Sequence, residues 1–261
     1  MAPTLGGVNR PSGLLIDIDG VLTISWKPLP GAVEALDEVR DSGLGVRFLT
    51  NTTSRTRGAV AAALVGAGFG VEEGEILTAP STTAAYLRRH HPGARCLLIN
   101  EGDLGDDLEG VELVDSGPVD VVLVGGAGPA FTYPALNRAF GFLRSGASLV
   151  AMHRNLVWRT DTGLQLDSGA FITALETASG VDAVVVGKPS AEFFRAGLDS
   201  LGLEASEAAM VGDDLHNDVL AAQAVGLTGV QVRTGKFAED QLQDGTPDHI
   251  IDSFADLPAL F

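Results

Sequence analysis

The chain has 261 residues, of which 34 are acidic and 17 basic, for a formal charge of −17. A field of that sign repels polyphosphate backbones and anionic bilayers, so neither nucleic acid nor membrane is expected as a partner. A hydrophobic fraction of 45% excludes disorder, and a single cysteine, Cys96, excludes an internal disulfide and a cysteine-rich zinc site.

The opening Met1-Ala2-Pro3-Thr4-Leu5-Gly6-Gly7 carries no basic segment followed by an apolar run, so no secretory signal is expected. Glycine breaks the longest apolar runs, as at Gly125, and none reaches the ~20 residues that span a bilayer. A cytoplasmic protein is the expectation.

In chain order, Leu14-Leu15-Ile16 leads directly into Asp17-Ile18-Asp19-Gly20, a buried-strand pattern that delivers two carboxylates to one place. Carboxylates this close repel unless a cation or a proton lies between them, which points to a divalent metal or to acid/base work. A helix over 30–40 follows, with Pro30 at its start and Gly43 past its end. Next come a strand over 45–50 and a helix from 56 to 65, entered through the polar Asn51-Thr52-Thr53-Ser54. Strand, helix, strand with short links means parallel pairing, so Asp17 and Thr50 end on the same sheet edge.

From 78 to 182 the pattern restarts, with helix 81–91, strands 95–100 and 119–124, helix 133–145, strand 148–152 and helix 168–179. Cys96 before Leu97-Leu98-Ile99 reads as a strand-interior core residue, and the acidic, glycine-rich 101–117 as loop and a ragged strand edge. The last third returns to the first pattern, with strand 183–186, helix 191–201, strand 208–211, helix 218–225 ended by Gly226, and strand 229–232. The expected architecture is α/β: a Rossmann-like parallel-sheet core from 1–78 and 183–261, with an α/β cap domain inserted over 79–182.

Polar residues gather at four strand ends: Asp17/Asp19, Thr50-Asn51, Gly187-Lys188-Pro189, and Gly212-Asp213-Asp214-Leu215-His216-Asn217-Asp218. An α/β sheet places its active-site edge there, and the residue types fit phosphoryl transfer. A carboxylate can attack phosphorus, hard oxygens suit Mg²⁺, Lys188 can hold phosphate as a point charge, and Thr50 and Asn51 can donate hydrogen bonds to it. Asp218 or Asn217 can also cap the helix that follows, and His216 reads as solvated or as an outer neighbour of the acid cluster. Gly125-Gly126-Ala127-Gly128 lacks the dinucleotide-loop spacing, since Phe131 stands where a small residue is required.

Asp17-Ile18-Asp19-Gly20-Val21-Leu22, Phe48-Leu49-Thr50-Asn51, Val186-Gly187-Lys188-Pro189 and Gly212-Asp213-Asp214 through Asp218 together resemble the four motifs of the haloacid dehalogenase superfamily of phosphohydrolases. The position of the insert resembles the branch with a C2-type cap, subfamily IIA. The resemblance implies Asp17 as nucleophile and Asp19 as the acid, then base, for leaving group and water. It implies Mg²⁺ held by the Asp17 side chain, the Asp19 backbone carbonyl and Asp213, with Asp218 in support. Thr50, Asn51 and Lys188 would hold the transferring phosphate, and Asp214 would be an outer partner of the metal site.

The expected function is therefore a Mg²⁺-dependent phosphohydrolase that cleaves a small phosphorylated metabolite through an aspartyl phosphate. The substrate is a phosphate monoester, or a pyrophosphate or phosphoramide. A phosphotransferase with the same intermediate and a catalytically idle phosphometabolite-binding protein are the alternatives. Specificity falls to the cap, where Arg154, Asn155 and Trp158 lie in its most cationic, aromatic run. The cap surface is also a candidate homodimer contact.

Overall fold

The computed structural model describes residues 10–160 and 163–261, without the side chains of residues 158–160 and 164. Two compact units make up the chain. One comprises the chain up to Thr50, Ala61–Ile76 and Phe194–Phe261; the other comprises Asn51–Val60 and Leu77–Phe193.

In the first unit the strand Gly13–Asp17 pairs in parallel with Ala208–Gly212 on one side and Gly45–Thr50 on the other. Thr228–Val232 and His249–Ile251 extend the sheet beyond Ala208–Gly212, again in parallel, and Ile76–Thr78 closes the opposite edge. Every residue of Gly13–Asp17 is buried, because a central parallel strand is covered on both faces and so reads as a continuous apolar run. Register sets Asp17 level with Leu49 and Gly212 level with Gln231, so the chemistry-bearing ends share one sheet edge.

The helix expected from residue 30 runs Ala32–Asp41, since Gly31 takes a left-handed φ of 75° and holds Pro30 outside it. It buries Ala32, Ala35, Leu36 and Val39, one face at helical spacing. Behind Gly20, a short hairpin of Thr23–Ile24 and Lys27–Pro28 turns through Ser25 and Trp26, both at positive φ. The helix expected over 218–225 begins earlier, as a wide turn over Leu215–Leu220 that continues into Ala221–Ala224.

The second unit has its own parallel sheet, in the order Ala183–Val185, Ser148–Ala151, Val121–Val124, Arg95–Ile99, Glu112–Leu113. Ala79–His90, Tyr133–Arg144 and Ser168–Ser179 are its helices. An antiparallel hairpin of Val157–Thr160 and Gly163–Leu166, absent from the sequence expectation, also belongs to it. Cys96 is buried in the core, where desolvation pushes its thiol up to about 11, as a structural cysteine requires.

The interval expected as loop and a ragged strand edge holds that edge, the strand Glu112–Leu113, and in addition a turn of helix, Asp106–Leu108. Asp107 organises it: this buried carboxylate accepts from the Arg57 N–H at 3.1 Å, the Arg57 Nε at 3.2 Å and the Thr78 hydroxyl at 2.6 Å. Among the described residues no helix is long and apolar enough to cross a membrane.

Candidate active site

At the sheet edge of the first unit, Asp17, Asp213 and Asp218 each turn a carboxylate oxygen toward the others, all within 4.8 Å. All three are buried, at 5%, 1% and 1% exposure. The strand Gly13–Asp17 delivers the first, and Ala208–Gly212, its parallel neighbour, delivers the second one residue past its end. Asp218 comes from the wide helical turn, and a Cβ at Gly212 would lie 2.2 Å from its Cβ, so glycine is required where the strand gives way. The Asp19 side chain stands outside the trio and is exposed.

Asp213 is closely held. Its Oδ2 accepts the Lys236 N–H at 2.8 Å, and a Cβ on either Gly20 or Gly235 would come within 2.0 Å of that oxygen. Both glycines have positive φ, of 85° and 65°. The Thr234 hydroxyl donates to the Gly20 carbonyl and ties the two loops together. Burial, then the charges of Asp17 and Asp218, push the Asp213 carboxyl up to about 8 against the pull of Lys236. Its Oδ1 is buried and has no hydrogen-bond partner.

A buried acceptor left open beside two further carboxylates fits a hard divalent cation, which would take oxygen ligands and relieve the repulsion. The donor set excludes a soft-metal site, since it holds oxygens alone.

Asp214 caps the helical turn, accepting the Asn217 N–H at 3.0 Å and the Asn217 Nδ2 at 2.8 Å. Neither Asn217 nor Asp218 takes the capping role open to it in the sequence, because the helix starts three residues sooner. Asp218 Oδ2 instead accepts the Asp214 N–H at 3.2 Å. His216 pairs with Asp244 at 3.1 Å on the surface.

Two residues at this edge have no assigned role in the sequence reading. Gln231, fully buried in a strand, donates to the Asp213 carbonyl at 2.8 Å; a lone amide in an apolar strand was the available signal. The Lys236 ammonium lies 3.6 Å from Asp214. Burial works against its charge, but Asp213, Asp17, Asp218 and Asp214 outweigh that and raise its pKa.

In the second unit, Lys188 is 4% exposed, and both its main-chain polar groups bond to the Asn51 side chain. Arg154 forms an ion pair with Glu176, and the Asn155 N–H donates to His153 Nδ1 at 3.4 Å. Burial lowers the pKa of His153, only partly opposed by Asp167 at 3.9 Å. Trp158 lies on the hairpin, with its side chain outside the described residues. The glycine run serves close packing: a Cβ at Gly125 would lie 2.1 Å from Asn100 Oδ1, and one at Gly126 2.3 Å from Thr53 Oγ1.

Comparison with known proteins agrees with this geometry. Residues 14–114 match the family described as haloacid dehalogenase-like hydrolase, and residues 185–257 match a HAD-hydrolase-like family. The chain is 38% identical over 242 residues to the phospholysine phosphohistidine inorganic pyrophosphate phosphatase of Rattus norvegicus, covering 90% of this chain and 87% of the relative. Among solved structures, p-nitrophenyl phosphatase from Archaeoglobus fulgidus superposes with a TM-score of 0.90 at 31% identity, covering 97% of this chain and 100% of that one. Glycerol phosphate phosphatase from Mycobacterium tuberculosis, solved in complex with calcium, gives 0.85 at 30% identity, covering 95% of this chain and 74% of that one. With both family matches spanning the segments that carry its acid cluster, the chain belongs to the haloacid dehalogenase-like hydrolases and is an enzyme of their phosphatase type.

Proposed function

We propose that this enzyme is a Mg²⁺-dependent phosphohydrolase of small phosphorylated metabolites that works through an aspartyl phosphate on Asp17. The observation that carries the proposal is the buried trio Asp17, Asp213 and Asp218, with one Asp213 oxygen left without a hydrogen bond. Such a site stores repulsion that a hard cation removes, and a bound cation screens the anionic substrate from the attacking carboxylate. The calcium in the glycerol phosphate phosphatase is consistent with a divalent metal in this family.

In this reading Asp17 Oδ attacks phosphorus and the leaving oxygen departs with a proton from Asp19. Water, deprotonated by Asp19, then cleaves the acyl phosphate. Asp213 and Asp218 would hold the metal with Asp17 and the Asp19 carbonyl. Thr50 and Lys188 bind phosphate, and Arg154, Asn155 and Trp158 contribute to leaving-group recognition. Phosphate esters rank ahead of phosphoramides, because an acid such as Asp19 helps most with an alkoxide leaving group.

The test is phosphate release from p-nitrophenyl phosphate, polyol phosphates, pyrophosphate and phospholysine, with Mg²⁺ or EDTA, for the wild type and Asp17→Asn. Metal-dependent release that disappears in the variant is expected. Release that survives in Asp17→Asn removes the aspartyl phosphate, and release in EDTA removes the metal.

A further inference from the structure

Asn51 follows the strand Gly45–Thr50, where a phosphate-binding loop is expected, yet its side chain is engaged elsewhere. Its Oδ1 accepts the Lys188 N–H at 2.9 Å, and its Nδ2 donates to the Lys188 carbonyl at 2.8 Å. The amide's only acceptor and one of its two donor hydrogens are thus committed to the main chain of a single residue, 137 positions along the chain. Bonds to both the N–H and the C=O of one residue restrain its φ and ψ together, and so fix the direction in which its Cα–Cβ bond points.

The surroundings are built for this clip. The Gly187 N–H donates to the Met152 carbonyl at 2.9 Å, which anchors the segment just before Lys188. A Cβ at Gly187 would lie 2.7 Å from Asn51 Oδ1 and 2.2 Å from the Met152 carbonyl oxygen, so a side chain there would displace the amide. Lys188 is buried, and the entropy of ordering its long side chain falls if its backbone is already fixed.

We propose that Asn51 is a positioning residue that aims Lys188 at the substrate's phosphate, rather than a phosphate ligand in its own right. The inference rests on the reading of Lys188 as the phosphate-binding cation. It assigns the amide of this loop to a lysine on a different segment and makes phosphate affinity depend on their coupling.

The experiment is a double-mutant cycle, read as the inhibition constant for inorganic phosphate and as kcat and KM on p-nitrophenyl phosphate. Asn51→Ala is expected to weaken phosphate inhibition about tenfold, as loss of an orienting partner does, and Lys188→Ala to weaken it more. The double variant should match Lys188→Ala to within about twofold, because a residue that acts through Lys188 has nothing left to act on. Gly187→Ala, which leaves both side chains intact, should reproduce the Asn51→Ala loss. Asn51→Asp, nearly isosteric, keeps the acceptor but sets a carboxylate against the Lys188 carbonyl, so it should show the same coupled loss where the alanine variants do not fold.

Losses that multiply in the double variant would show that Asn51 meets phosphate directly, and overturn the proposal. So would a fall in melting temperature with phosphate inhibition unchanged, the mark of a structural staple. Wild-type inhibition in Lys188→Ala removes the reading of Lys188 itself, and the proposal with it; that failure is visible in the single variant and is independent of the Asp17→Asn result.

Discussion

Replacing Asp213 by asparagine should make the metal-free protein more stable and the enzyme inactive, with the gain in stability set by pH. Folding carries the Asp213 carboxyl from 3.8 to about 8, so between those values the folded protein holds a proton that the unfolded chain has released. Stability of the metal-free form therefore falls as pH rises across that window, at up to about 1.4 kcal/mol per unit. Asparagine does not titrate, can still accept the Lys236 N–H, and turns an amide donor toward Asp17 and Asp218. From pH 5 to pH 8 its advantage over aspartate should grow by at most about 4 kcal/mol, or on the order of 10 °C in melting temperature for a chain of this size. Thermal melts in EDTA at the two pH values, for wild type and Asp213→Asn, measure it directly. Adding Mg²⁺ should raise the wild-type melting temperature, most at pH 8 where no proton competes, and leave the variant unmoved. A variant whose stability relative to wild type is the same at pH 5 and pH 8 would refute the claim that burial and its acidic neighbours hold the Asp213 carboxyl protonated in the metal-free fold.

Gly235→Ala should lower the melting temperature and cut Mg²⁺ affinity at least tenfold, since its Cβ would meet Asp213 Oδ2 at 2.0 Å from a backbone at φ 65°. The expected cost is about 2–4 kcal/mol, and Gly66→Ala, which meets nothing within 4 Å, serves as the neutral-to-stabilising control in the same melts. In the other unit, Asp107→Ala leaves the Arg57 N–H, the Arg57 guanidinium and the Thr78 hydroxyl without their acceptor, and should cost about 3 kcal/mol in chemical denaturation. A loss below about 1 kcal/mol would mean that water replaces the carboxylate.

The acid pair, the alternation of strand and helix and the four strand-end stations were legible from the linear chain. Apolar period, turn residues and short links are local signals, and parallel pairing then brings the ends of Gly13–Asp17, Gly45–Thr50 and Ala208–Gly212 to one edge. Ala183–Val185, expected in that core sheet, instead pairs with Ser148–Ala151 in the second unit, a choice of partner that an apolar run cannot signal. Asp17 and Asp213 could be assigned to a common edge for that reason, with nearly 200 residues between them.

Other features depended on the tertiary structure, because each turns on groups distant in sequence or on one torsion angle. The left-handed Gly31 moved a helix start that Pro30 had marked, and the wide turn at Leu215–Leu220 gave the cap to Asp214 and left Asp218 for the trio. The edge strand Glu112–Leu113 is too short for periodicity to set its bounds, and the hairpin at Val157 is too short or too polar to stand out from loop. Lys236 and Gln231 bear on the acid cluster only because Thr228–Val232 lies beside Ala208–Gly212. Residue types and their order in the chain determined that acids, a hydroxyl, an amide and a lysine stand at strand ends. Only the fold decided which oxygen of Asp213 is left open and that the amide of Asn51 grips Lys188, since hydrogen-bond partners are chosen by distance in space and not by distance along the chain.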